Sequence, residues 1–336
     1  MSFAALRGAE ASPFSHDAHY SARYDMATYR GRLVYFLDIT SPDHLLIGAP
    51  EMAAAQRLLR DAREGGAAAR GRSDAELWDA KRTLLGKTTA GGGEIPVPCR
   101  VGGWAVFGSV PVSALILTAK YFPTSLPLFA FGHWLNQSHL ASVSYFNRPE
   151  GRAPPVERLG AAYAAAIGSA VGIFVAWKRA VARFPVLAGL GIFAPYPAAA
   201  AANVVNTLMM RLQELDDGVA VVDESGATVG VSKVAARRAV ADTIVTRLAL
   251  PAGNFLLTPL AYVALERGTP LGRAVLRRPW LALPCQIATT VACFAVCVPA
   301  SLAIYPPVVS VPAADLEPEI AARVPAGATL RYNKGM

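Results

Sequence analysis

The stretch FGHWLNQSHLASVSYFNR, from Phe131 to Arg148, places polar side chains within a chain that is otherwise apolar. Its central polar residues are His133, Asn136, Gln137, Ser138 and His139. An amide or imidazole without a hydrogen-bond partner in an apolar medium costs about 2–7 kcal/mol. These side chains must therefore face protein, water or a ligand. Two interpretations remain open: they join helices through hydrogen bonds, or they line a path for a solute.

The composition is that of a membrane protein. Of 336 residues, 53% are hydrophobic and 17% are charged, and the mean hydropathy is +0.34. Soluble domains have about 25% charged residues. We therefore expect an all-α polytopic membrane protein, with a soluble helical arm at its N-terminus and a small β-hairpin in one loop.

The net charge of +8 does not indicate nucleic-acid binding. The basic residues lie in short segments between apolar runs and form no stripe interleaved with aromatic residues. The four cysteines, Cys99, Cys285, Cys293 and Cys297, include no CxxC pair. We therefore expect no disulfide framework, no metal site and no cofactor.

Residues 1–103 read as the soluble arm. Ser73 and Glu76 have the spacing of a capping box before a helix, and Gly65-Gly66 ends the helix before it. The arm has too few apolar residues for a core of its own, so we expect it to pack on the membrane domain or on a lipid surface. The first residues resemble neither a signal peptide nor a transit peptide, so any targeting signal should be internal.

Residues 104–305 contain apolar runs long enough to cross about 30 Å of hydrocarbon. The predicted spans cover residues 104–122, 159–177, 186–210, 244–265 and 281–305. The polar stretch at 123–145 is expected to be re-entrant or interfacial. A hairpin loop is expected at 211–243, with strands around Asp223 and Glu224, and a C-terminal tail at 306–336.

The loops at 178–185 and 266–279 are short and basic, so both should face the inside of the membrane. Counting crossings from these loops places the tail outside. The arm comes out inside only if the stretch 123–145 does not cross fully. Such irregular backbone is tolerated at membrane depth where it is buried in protein or lines a cavity.

Prolines interrupt two of the predicted spans next to polar residues. Pro195 and Pro197 precede Asn203 and Asn206, which share a helix face, and Pro251 follows Arg247. Interrupted helices beside polar side chains are typical of a transporter's midplane site. The alternative is that the prolines only kink structural helices.

We predict that Asn136, Gln137 and Ser138 bind the carboxylate and amine of a solute, and that Asn203 and Asn206 bind it beside the interrupted backbone. Arg247 is a candidate clamp for a carboxylate, or only a basic residue near the end of a span. The remaining candidates are His133 and Asn147. A different pattern, small residues at every fourth position, predicts helix packing; its members are Gly160, Ala164, Gly168 and Gly172.

Several segments together resemble the sideroflexins, most closely the sideroflexin-5-type branch. The match runs from Arg23 to the C-terminus. The segments are WLNQSH at 134–139, Asn147-Arg148, PYPAAAAANVVNTLMMR at 195–211, GVSKVAARRA from Gly230, TRLALP at 246–251, LEPEIA at 316–321 and the ending YNKGM.

This resemblance implies a multi-pass protein of the mitochondrial inner membrane, with five spans, a matrix N-terminus and a C-terminus in the intermembrane space. It also implies a carrier of serine or related small amino acids, and this branch has been linked to citrate. The partners would be the solute, the lipid bilayer and, in a homo-oligomer or assembly, other membrane proteins.

The chain departs from the family pattern at three places. The signature His-Pro-Asp-Thr-Gly-Glu falls on residues 89–94, where only Gly93 and Glu94 match. The aromatic-Trp-Gln-Trp entry reads Phe131-Gly132-His133-Trp134, and two asparagines are replaced by Leu140 and Ser144. The Arg-Phe before the third span is Ile192-Phe193.

These departures leave open a second class, a non-transporting membrane scaffold for iron homeostasis or respiratory-complex assembly. An enzyme is not expected. His133, His139 and Ser138 are the nearest set to a nucleophile with a base, but no Gly-x-Ser-x-Gly elbow surrounds them and no acid orients either histidine.

Overall fold

The computed structural model describes residues 13–15, 20–66, 70–88, 93–122, 125–147 and 156–334. Helices predominate, and four strands form one small sheet. The predicted fold class, an all-α membrane protein with a helical arm and a hairpin, is confirmed in this outline.

Three helices build the arm: α1 (Tyr29–Ile39), α2 (Ala49–Glu64) and α3 (Asp74–Leu84). The predicted capping box forms, because Ser73 Oγ accepts from Glu76 N and Glu76 accepts from Ser73 N. Gly65 ends α2 with a φ of 72°, a left-handed conformation that glycine adopts without steric cost. Local sequence therefore sets the helix ends of the arm.

The arm packs against the membrane domain, as predicted. Tyr35, Phe36, Ile39 and Trp78 form one buried cluster with Ala303, which follows the last long helix. Trp78 is fully buried. The arm thus completes its apolar core by using the end of the helix bundle.

The rest of the chain is a bundle of helices joined by short loops. In order they are α4 (Trp104–Phe107), α5 (Ser109–Tyr121), α6 (Leu126–Phe146), α7 (Val156–Arg183), α8 (Pro195–Asp217), α9 (Lys233–Ala252), α10 (Thr258–Gly268), α11 (Pro270–Arg277) and α12 (Ala282–Leu302). Within the part of the chain that the structure describes, four helical segments are long and apolar enough to cross a membrane: Val101–Tyr121, Glu157–Arg183, Lys233–Gly268 and Ala282–Leu302.

The predicted third span, 186–210, is not one helix. A 3-10 helix covers Pro185–Phe193, and α8 begins anew at Pro195. Proline fits the first turn of a helix because its missing N–H would have no partner there. Pro195 and Pro197 therefore start α8 inside the predicted span, and the interruption expected from them is present.

The polar stretch forms α6, one uninterrupted helix of 21 residues, and its re-entrant or interfacial placement stays a prediction. Phe129 stacks on Phe174, and Ser138 bonds Tyr163, so α6 runs antiparallel to α7. At its end, Asn147 donates to Cys99 O, which shows that α6 also returns along α5. The helix extends beside two membrane-length neighbours.

The predicted hairpin forms from β1 (Val219–Val222) and β2 (Thr228–Ser232). The tail, which the sequence did not predict as strands, adds β3 (Val308–Pro312) and β4 (Thr329–Asn333) in the order β2-β1-β4-β3. Between β3 and β4 lies the short helix α13 (Pro318–Ala321). Glu317 precedes α13 and accepts from the N–H groups of Lys233 and Val234, which caps α9.

Arg32 fastens the arm to the end of α12. Its buried guanidinium donates to Ala303 O at 2.8 Å and to Ile304 O at 3.3 Å. The arm and the start of the tail therefore lie at the same end of the bundle. The sequence prediction of arm and tail on opposite sides of a membrane depends on residues 123–145 not crossing fully, and it stays a prediction that an accessibility experiment can test.

The small residues on α7 do not pack within this chain, contrary to the sequence interpretation. Ala162, Ala166 and Ala170 face the core instead. At Gly160, Gly168 and Gly172, no atom of the described chain lies within 4 Å of the position that a Cβ would take. The glycines thus form an open face on the outside of the bundle.

We expect epitope tags placed on the arm and on the tail to share one accessibility in sealed vesicles, because Arg32 joins the two regions. Protease added outside should cleave both tags or neither, with detergent-opened vesicles as the control. Protection of one tag alone would contradict the arrangement.

The arm buries a lysine beside a neutral histidine. Lys87 Nζ lies 2.7 Å from His44 Nδ1 and donates to Arg82 O, and both side chains are at most 1% exposed. Burial lowers the pKa of Lys87 to about 7, with the charges of Arg82 and Arg100 adding to this. Burial also lowers the pKa of His44, to about 3, so that its ring is neutral and accepts from the lysine.

The stability of the arm should rise as the pH rises from about 7 to 10.5, because the unfolded lysine holds a proton in this range that the folded one releases. Lys87→Met should remove this slope. The urea midpoint, followed by tryptophan fluorescence in detergent, measures it, with Lys81→Met on α3 as the control. An equal slope in wild type and Lys87→Met would contradict the assignment.

Candidate solute site

Several polar side chains are buried inside the bundle with atoms that have no hydrogen-bond partner among the described residues. These atoms are both ring nitrogens of His133, Gln137 Nε2, Asn254 Oδ1, Thr258 Oγ1 and Gln286 Oε1. Each of the five residues is at most 4% exposed. An unpaired buried polar group costs about 1–3 kcal/mol. A cluster of such groups is a candidate binding site, and we call these five residues the unpaired set.

Helix α5 adjoins three of the elements that carry the unpaired set. It packs against α6, against α12 and against the turn at Gly253–Leu257. Ser113 on α5 bonds Thr290 on α12 at 2.9 Å, and Thr290 also bonds Gln286. These hydrogen bonds link polar side chains of α5 and α12 within an otherwise apolar bundle. The series ends at the unpaired Oε1 of Gln286.

The backbone changes its winding beside this group. Residues Gly253–Leu257 form one π-helical turn between α9 and α10, two residues after Pro251. π turns occur mostly within α-helices at functional sites. At Gly253 a Cβ would lie 2.5 Å from Cys297 Cβ, so glycine permits the close approach to α12. Asn254 and Thr258, which carry unpaired oxygens, follow Gly253 in the chain.

An ion pair closes the interior at the end of the bundle away from the arm. Lys120 Nζ donates to Glu266 Oε1 at 2.6 Å and lies over the ring of Tyr262, which is fully buried. Thr258, Tyr262 and Glu266 follow one another at four-residue spacing on one face of α10. Thr258 of the unpaired set therefore lies on the same face of α10 as Glu266 of the ion pair.

The predicted residues on α6 have different surroundings. His133, Asn136 and Gln137 are buried in the bundle, as a solute-lining role requires. Ser138 Oγ instead donates to Trp134 O and bonds Tyr163. Asn147 caps the helix end by bonding Cys99 O and Val143 O, so it joins α6 to the arm.

The second predicted group lies on another pair of helices. Asn203 Nδ2 donates to Arg247 O at 3.2 Å and joins α8 to α9, and Asn206 is half-buried on α8. Helix α7 packs extensively against both α6 and α8, and so lies between the two predicted groups. The structure does not bring them into one site. His133 and Gln137 lie on α6, which packs against α5, and α5 in turn packs against α12.

Sequence reasoning did not select Asn254 or Gln286. It missed Ser113, Thr258 and Thr290, because single hydroxyl residues are common in apolar helices. The available signal was the four-residue spacing of Gln286 and Thr290, and the matching charges of Lys120 and Glu266 at the ends of two spans.

Helices of membrane-crossing length around buried polar groups define a multi-pass membrane protein with a polar interior. The profile of the Sideroflexins family matches residues 19–336. The chain belongs to the sideroflexin family.

Three relatives show the extent of the likeness. Human sideroflexin-5 is 34% identical over 322 residues, which cover 94% of this chain and 91% of the relative. Sideroflexin-5 of Caenorhabditis elegans is 32% identical, covering 94% of each chain. Human sideroflexin-3 is 30% identical, covering 94% of this chain and 96% of the relative. No solved structure matches the chain. The altered signature at residues 89–92 lies outside the described residues.

Gln286→Leu tests whether the unpaired set serves a ligand. Removing the unpaired Oε1 should raise the free energy of unfolding by about 1 kcal/mol, while solute uptake into vesicles should fall roughly tenfold, equivalent to one lost hydrogen bond to a charged group. Thermal unfolding in detergent and uptake measure the two effects.

Thr289→Val on α12 is the matched control, because the half-buried Thr289 donates to Cys285 O of its own helix. It should leave uptake unchanged. Lower stability together with unchanged uptake in Gln286→Leu would mean that Gln286 has only a structural role.

Proposed function

We propose that this protein carries small polar metabolites across a membrane and binds them among the unpaired set around α5. The observation that supports this proposal is the set of buried polar atoms without partners, since such atoms are expensive unless a ligand or water satisfies them. The set mixes donors, Gln137 Nε2 and the Thr258 hydroxyl, with acceptors, the oxygens of Asn254 and Gln286. This mixture suits a zwitterion with one carboxylate and one ammonium group.

The proposed solute is serine or a related small amino acid, with citrate as the alternative, and the proposed location is the mitochondrial inner membrane. The family assignment supports both proposals. They assign no catalytic residue, metal or cofactor to the chain.

A second candidate function is a non-transporting scaffold within a membrane assembly. The open glycine face of α7 favours it, because glycine faces let helices of different chains approach closely. A scaffold would purify with its partners and would support no flux.

Uptake of labelled serine and labelled citrate into liposomes that contain the purified protein tests the proposal. We expect saturable serine uptake that alanine competes, because both solutes present the same carboxylate and ammonium groups to the unpaired set. Citrate uptake without serine uptake would select the alternative solute. Empty liposomes are the control.

Flux of neither solute, from protein shown to be folded and inserted, would contradict the carrier proposal. That result would favour the scaffold.

A further inference from the structure

The short helix α11 packs closely against the end of α10. Thr269 Oγ1 accepts from Gly272 N at 3.0 Å and so caps α11. A Cβ on Gly272 would lie 2.0 Å from Leu265 O, so this approach requires glycine. The segment Lys233–Gly268 is long and apolar enough to cross a membrane, and α11 follows it directly. Helix α11 therefore lies where a membrane-crossing segment ends.

The arginines around α11 are exposed, namely Arg267, Arg273, Arg277 and Arg278. None of them forms an ion pair with a residue that the structure describes. The sequence from 267 to 281 contains no Asp or Glu. Glu266, just before it, is 6% exposed and pairs with Lys120. The described part of the chain therefore does not neutralise the positive charge of this segment.

Large apolar side chains are exposed beside these arginines. Trp280, just after α11, is 69% exposed, and Leu271 on α11 is 53% exposed. Arg273 and Arg277 lie four residues apart and share one face of α11. Leu271 precedes Arg273 by two residues and so lies on the other side of the helix. A basic helix face with apolar side chains beside it is typical of the boundary between water and lipid, where tryptophan is enriched.

The end of α7 carries further positive charge at the same end of the bundle. Phe129, in the first turn of α6, stacks on Phe174 of α7, and α6 begins soon after α5 ends. The part of α7 beyond Phe174 therefore runs toward the end of α5 that carries Lys120. Arg179 and Arg183 lie on this part of α7 and are exposed. The end of the bundle away from the arm is thus basic at two separate places.

Acidic phospholipids match this combination of charge and apolar surface. Exposed arginines contribute little to the stability of the chain itself, but their guanidinium groups bind phosphate oxygens through two parallel hydrogen bonds. Acidic phospholipids present such oxygens, with a net negative charge, at the membrane surface. An acidic protein surface would also attract the arginines. It gives no reason for the exposed Trp280 and Leu271, which the boundary of the hydrocarbon would cover.

We propose that α11 is an interfacial helix that binds acidic phospholipids. Arg273 and Arg277 bind the headgroup phosphates, with Arg267 and Arg278 beside them. Trp280 enters the boundary of the hydrocarbon. The lipid class is one whose headgroup has a net negative charge, such as phosphatidylglycerol. This inference goes beyond solute transport, and its test gives the same answer whether or not the protein supports flux.

Quenching of Trp280 fluorescence by brominated lipid tests the proposal in the full-length protein. The protein is reconstituted into vesicles with equal amounts of phosphatidylcholine and phosphatidylglycerol, and bromine is placed on the acyl chains of one lipid or of the other. The difference between wild type and Trp280→Phe isolates the signal of this residue from that of the other tryptophans. We expect stronger quenching by brominated phosphatidylglycerol, because the arginines concentrate acidic lipid around α11.

Arg273→Gln/Arg277→Gln is the central variant. It should lower the preference for phosphatidylglycerol by roughly fivefold or more, the factor for one basic residue near an anionic surface. Arg273→Lys/Arg277→Lys keeps the charge and should keep most of the preference. Arg57→Gln/Arg60→Gln is the matched control, because it removes two exposed arginines from α2 on the arm. It should leave the preference unchanged.

Inorganic phosphate, compared with chloride at equal ionic strength, distinguishes a lipid site from a site for the free ion. It should lower the preference no more than chloride does, and a larger effect would assign the arginines to free phosphate and overturn the proposal.

The proposal would also be overturned by equal quenching of wild-type Trp280 by the two brominated lipids, by an unchanged preference in Arg273→Gln/Arg277→Gln, or by an equal loss in the variant of the arm. A lower melting temperature together with a lost preference in both the glutamine and the lysine variants of α11 would assign these arginines a structural role only.

Discussion

Hydrogen-bond satisfaction inside an apolar bundle is the constraint on which this structure depends. The last carbonyl groups of a helix have no partner within it. At the end of α12, Arg32 supplies donors to such carbonyls, and at the end of α6 Asn147 joins its own helix to Cys99 O. These bonds also determine where the arm can lie. The same rule draws attention to the unpaired set, because other polar groups in the bundle, such as Ser113 and Thr290, bond each other.

Charge divides the bundle into two different ends. At the end away from the arm, Lys120 and Glu266 neutralise each other beside Tyr262. At the end that carries the arm and the sheet, the buried guanidinium of Arg32 bonds backbone carbonyl groups. A solute that enters from either end would therefore meet a different electrostatic environment. The region between them holds amides and hydroxyls.

Local signals in the sequence predicted local structure well. The capping box at Ser73, the stop at Gly65, the hairpin around Asp223 and the interruptions at Pro195 and Pro251 all depend on near neighbours in the chain. The errors concern contacts between distant segments. The tail strands pair with the hairpin across some 100 residues, and Arg32 meets Ala303, relations that no periodicity reveals.

The polar helix shows the same limit for the site. The count of membrane crossings predicted a segment that would not cross fully, and the structure buries His133, Asn136 and Gln137 of this segment in the bundle. Their polarity made them visible in the sequence, whereas Thr258 and Gln286 were not selected, since helix order in a bundle does not follow from sequence.

The π turn at Gly253–Leu257 rotates the residues of α10 around the helix axis relative to those of α9, although the two helices form one long segment. Each residue of an α-helix advances by about 100° around the axis, and a π turn accommodates one residue more than an α turn. Deleting one residue there would restore regular winding and rotate everything beyond it. Thr258, Tyr262 and Glu266 would leave the interior together, and Lys120 would lose its partner. The single extra residue in the π turn thus determines which face of α10 points into the bundle.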